Sequence, residues 1–141
     1  MTAPANASVR WVVLHHVEHV RAVSECLSVE GDAVDCITAP GAAAYAGVGY
    51  LKKMVTAGSA GRGQVLDVVL DCGDDAGLVL GAVREEWSRI AFAGEPEVAE
   101  KLRAIASAKG CVLLPPPPLA GRLDLRDAAE PRVALRDWLV R

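Results

Sequence analysis

Apolar runs recur at intervals of about 25 to 35 residues, and between them the hydrophobic spacing switches from continuous to helical. The alternation predicts βαβαβαβαβ. Val9 to His15 is the first strand, with Trp11, Val12, Val13 and Leu14 apolar without alternation, as in a strand covered on both faces. A helix from about Glu18 to Glu30 places Val20, Val23 and Leu27 on one stripe beside Ala22 and Cys26, and Gly31-Asp32 closes it. Strand two is Ala33 to Thr38. Three glycines, Gly41, Gly47 and Gly49, then break what would otherwise be one helix, so a helical turn, a Gly-rich bend and a helix over Leu51 to Ala57 are expected. Val65 to Leu70 is strand three and ends in Asp71-Cys72-Gly73-Asp74-Asp75, acids that also suit a helix start.

A third helix spans Ala76 to Trp87, and strand four follows at Arg89 to Ala93. Pro96 opens the fourth helix, whose expected stripe is Val98, Leu102, Ile105 and Ala106; Gly110 releases strand five, Cys111 to Leu114. Pro115 to Pro118 stop that strand and enforce an extended exit. The tail adds an apolar patch at Leu123 to Leu125 and a last helix, opened by Pro131, expected to bury Val133, Leu135, Trp138 and Leu139. The reading is a disordered segment over 1–8, a sheet domain over 9–114, and a Pro-rich exit with a C-terminal helix over 115–141 packed on the same domain.

Five strands joined through helices are parallel, with right-handed crossovers. At 141 residues the chain is too short for a closed eight-stranded barrel. It fits an α/β fold with an open, doubly wound, mainly parallel five-stranded sheet in the flavodoxin-like order 2-1-3-4-5. A half-barrel that dimerises is the second option. In either, ligands bind at the carboxyl edge of the strands.

Composition narrows the function classes. Fifteen basic residues against eighteen acidic ones give a formal charge of −3, and only 4% of residues are aromatic, so neither a basic field nor stacking rings favour nucleic acid. Cys26, Cys36, Cys72 and Cys111 form no CxxC pair and sit in apolar runs, which suggests reduced thiols and a cytoplasmic protein. No apolar stretch approaches transmembrane length, so no membrane partner is expected.

All three histidines, His15, His16 and His19, follow strand one, and an acid cluster follows strand three. In the 2-1-3-4-5 order these strand ends are neighbours, which would set His15 or His16 opposite Asp71 or Cys72. The site expected there has His16 as acid/base, Asp71 as its partner and Cys72 as a nucleophile candidate. His15, Thr38, Gly41, Tyr45, Gly47, Gly49, Gly73, Asp74 and Glu95 would bind a small, anionic ligand, with the Gly41 to Gly49 backbone as its cradle. His19 reads as an exposed or capping group in the first helical turn. No metal site and no cofactor are expected, and neither GxxxxGK[ST] nor GxGxxG is present at the required places. Asp71 resembles the phosphoacceptor of receiver domains, but His15-His16 stand where that family has an acidic pair, and Pro115 where it has a lysine. The alternative class is a non-catalytic homo-oligomeric scaffold, sealed by the last helix with Trp138, and by Trp87.

Overall fold

The computed structural model describes residues 9–27 and 34–141. The expected 1–8 segment and the Gly31-Asp32 helix end lie outside the described residues. The elements run β1 (Arg10–Leu14), α1 (Val17–Leu27), β2 (Val34–Thr38), α2 (Ala42–Ala46), α3 (Val48–Gly58), β3 (Val68–Asp71), α4 (Ala76–Arg84), β4 (Arg89–Ala91), α5 (Pro96–Ala108), β5 (Val112–Leu114), β6 (Leu123–Asp124), a 3₁₀ turn at Leu125–Asp127 and α6 (Pro131–Leu139). This is an α/β fold with an all-parallel sheet and a C-terminal helix. The Gly-rich bend is where the pattern put it: Gly41 (φ 68°) precedes α2 and Gly47 (φ 89°) separates α2 from α3.

Strand number and order differ from expectation. Six strands lie in the order β5-β4-β3-β2-β1-β6. From β1 to β5 every crossover steps in the same direction, the winding of the half-barrel option, and the chain then returns to add β6 beside β1. The helices pack in a matching series, α6 on α1, α1 on α3, α3 on α4 and α4 on α5. β1 and β3 are therefore not neighbours, because β2 lies between them. The sixth strand comes from the Leu123 to Leu125 patch, too short to show strand periodicity.

Pairing registers assign the two faces. Val12 lies opposite Cys36 and Leu123, Cys36 opposite Val68, and Leu70 opposite Ile90. Arg10, Val12 and Leu14 share the face that meets α6, since the Arg10 guanidinium lies 4.3 Å over the Trp138 ring and donates to the Trp138 and Leu139 carbonyls. The other face carries Val13, Ile37, Val69 and Ala91, all buried, and at its carboxyl end His15, Asp71 and Asp124. On the same face, at the amino end, Arg89 of β4 reaches across β3 to pair in two bonds of 2.6 Å with Asp35 of β2.

Three stripe residues are not buried as expected. Val98 and Ile105 of α5 and Val133 of α6 are exposed, and the buried stripes are Leu102 with Ala106, and Leu135 with Trp138.

Candidate functional site

The end of β1 gathers the histidines. His15 Nε2 lies 2.6 Å from Asp124 Oδ1 of β6, and the same Oδ1 accepts a 2.9 Å bond from the Arg126 N–H at the start of the 3₁₀ turn. Burial pushes the Asp124 carboxyl up, but the bonds from the Arg126 N–H and His15 outweigh it and hold it below the usual carboxylate range. A carboxylate can only accept, so His15 donates from Nε2, and in the neutral ring the lone pair sits on Nδ1.

His19 is the buried member of the group. Its Nδ1 accepts the backbone N–H of His15 at 2.9 Å, and its ring lies 3.8 Å from that of His16 and 5.8 Å, edge-on, from that of His15. Sequence placed it correctly in the first helical turn, but as an exposed or capping group; it is 1% exposed. Burial, with the adjacent His16 and His15 next in weight, lowers the His19 pKa from 6.5 to about 4, against a smaller opposing pull from Asp124. His16 itself is exposed.

Asp71 is occupied differently. Its Oδ1 accepts from the Gly41 N–H at 3.1 Å and the Gly73 N–H at 2.9 Å, while its own N–H donates to Thr38 Oγ1 at 2.9 Å. These bonds clamp the loops after β2 and β3 together at a carboxylate that is 6% exposed. With β2 between them, the ends of β1 and β3 stand roughly 10 Å apart, so the expected opposition of His15 or His16 to Asp71 or Cys72 across adjacent strands is not formed. Asp71→Ala is expected to cost about 2 kcal/mol, because two backbone donors lose their acceptor. Asp71→Asn, whose amide oxygen still accepts, should cost less. Urea denaturation reads both, and a wild-type midpoint for Asp71→Ala would remove the clamp.

The remaining expected residues scatter along the edge. Cys72 is buried, and burial, then the charges of Asp71 and Asp75, push its thiol up to about 12, which disfavours the thiolate a nucleophile needs. In the Gly41 to Gly49 segment the Gly41 N–H serves Asp71, and the N–H groups of Ala44 and Gly47 serve the Gly41 and Ala43 carbonyls, so three donors of the expected cradle are used internally. Tyr45 and Tyr50 are exposed. Asp74 and Glu95 line an open groove of about 540 Å³ beside Phe92, Gly94 and Pro96.

No protein-family model matches this chain, and no curated protein is significantly similar to it.

Among the described residues, no group of three or more His, Cys, Asp or Glu side chains is arranged to hold a metal ion. Sequence reading missed Asp124. A signal was present, the apolar-polar-apolar alternation of Leu123-Asp124-Leu125, but three residues cannot announce a strand. It also missed the Asp35–Arg89 pair, whose partners are 54 residues apart.

Proposed function

We propose that this chain is a small-molecule-binding protein or enzyme of proton-transfer type, acting at the carboxyl edge of its sheet, with His15 as the proton-transfer group and Asp124 as the residue that orients it. The observation that carries this is the 2.6 Å His15–Asp124 pair at the strand edge where ligands bind in parallel α/β sheets. A carboxylate on Nε2 fixes the imidazole tautomer, leaves Nδ1 as the base, and stabilises the imidazolium once a proton is taken. The Arg126 N–H holds the carboxylate in turn. His16 was the expected acid/base; its ring stacks on His19, whereas His15 has the carboxylate partner that the chemistry requires. The four cysteines are free thiols, which fits a reduced cytoplasmic setting.

The homo-oligomeric alternative stood on Trp138 and Trp87. Both are buried in their own chain, Trp138 against Arg10, and Trp87 with its Nε1–H donating to the Val48 carbonyl at 3.2 Å.

Thermal-shift screening of small carboxylates, phosphates and carbonyl compounds against wild type, Asp124→Asn and His15→Ala tests the proposal. Compounds that stabilise the wild type should lose about tenfold or more in affinity for either variant, the scale of one charge-assisted hydrogen bond. Compounds that bind both variants as well as the wild type would place the site elsewhere.

A further inference from the structure

His19 carries a hydrogen-bond donor with nothing to receive it. Its Nδ1 is engaged by the His15 N–H, so the ring proton resides on Nε2, and Nε2 is buried without a partner. An orphaned buried donor is destabilising, and an acceptor placed beside it would relieve that cost. The surroundings select the acceptor. Two further imidazoles, His16 and His15, have ring centres 3.8 and 5.8 Å away. The carboxylate that acts on this ring, Asp124, is already bonded to His15 and the Arg126 N–H.

We infer that His19 Nε2–H anchors an oxygen of a small anion, a carboxylate or a phosphate, and that the three histidines form the anion-recognition part of the site. The inference rests on the reading that ligands meet the end of β1, and it names the chemical class of ligand there. His16 is the exposed ring whose centre lies 3.8 Å from that of His19, and it must yield to admit the anion.

Long-range ¹H–¹⁵N spectra of the full chain labelled at histidine, titrated with inorganic phosphate and separately with acetate at constant ionic strength, test this. A saturable shift of the His19 Nε2 resonance is expected with at least one anion. His19→Asn keeps an acceptor for the His15 N–H but removes the Nε2 donor, and should abolish the anion response of His15 and His16. Should that variant not fold, His16→Ala keeps His19 intact and should still show a saturable His19 shift, at higher anion concentration because one of the three imidazoles is lost. A His19 resonance that ignores both anions in wild type and in His16→Ala overturns the inference. If His15 alone responds, the anchor fails while the His15–Asp124 reading survives. If His19 responds but Asp124→Asn leaves ligand binding unchanged, that reading fails and the anchor stands.

Discussion

Gly58→Ala is expected to lower the melting temperature by about 10 °C. A Cβ built on Gly58 would lie 2.4 Å from Val20 Cβ, 2.6 Å from Val20 Cγ1 and 3.0 Å from the Val17 carbonyl oxygen. The glycine is what lets α3 approach α1 this closely, and Val20 is fully buried with nowhere to retreat. Two of the three opposing atoms, Val20 Cβ and the Val17 oxygen, are fixed by the α1 backbone, so the helices must separate. Forcing apart a packed interface costs about 3 kcal/mol, at the upper end of overpacking penalties, and that corresponds to about 10 °C for a chain of this size. Val20→Ala should not rescue the variant, because it leaves the Cβ contact in place. Gly49→Ala in the same helix is the control: nothing lies within 4 Å of its added Cβ, so the melting temperature should stay level or rise slightly. Calorimetry decides; a Gly58→Ala protein melting within about 2 °C of wild type would show that α1 and α3 do not meet as described.

Acidification should unfold this protein through His19. The folded pKa, about 4, lies below the ordinary 6.5, so the unfolded chain binds the additional proton between those values. Stability from the neutral buried ring is fully present above pH 6.5 and is lost as pH falls towards 4. At about 1.4 kcal/mol per pH unit, the loss approaches roughly 3 kcal/mol. His19→Asn, which cannot take up that proton, should begin less stable at pH 7 and show a flatter acid limb. Urea midpoints from pH 7.5 to 4 measure the difference, and parallel curves for the two proteins would remove His19 as the cause. Asp124 acts at lower pH: its carboxyl is held below its usual value, so its contribution fades only as pH falls below the ordinary carboxylate range.

Much of the fold was legible because its signals are local. Continuous apolar runs such as Trp11 to Leu14 and Val68 to Leu70 announced buried parallel strands. Gly41 marked the start of α2, Gly47 the bend between α2 and α3, and Asp75 the start of α4, where its Oδ1 accepts the Leu78 N–H at 3.1 Å. The placement of the histidines at the end of β1 was readable too. Their partner was not, because choosing between Asp71 and Asp124 requires the strand order, and no residue of β1, β3 or β6 encodes which strand becomes its neighbour. The acid singled out by sequence and the one it missed had different fates: Asp71 clamps two loops through the Gly41 and Gly73 N–H groups, and Asp124 meets His15.

By itself, the sequence determined the α/β class, the succession of strands and helices and the edge at which polar side chains collect, since each follows from spacing along a few consecutive residues. Tertiary structure decided who meets whom. Consecutive same-direction crossovers moved β3 away from β1, a two-residue strand filled the position on the other side, and His19, expected at the surface, folded inward to accept the His15 N–H beside the His16 ring. Those outcomes depend on how six strands share two faces and two edges, a long-range condition that local periodicity does not carry.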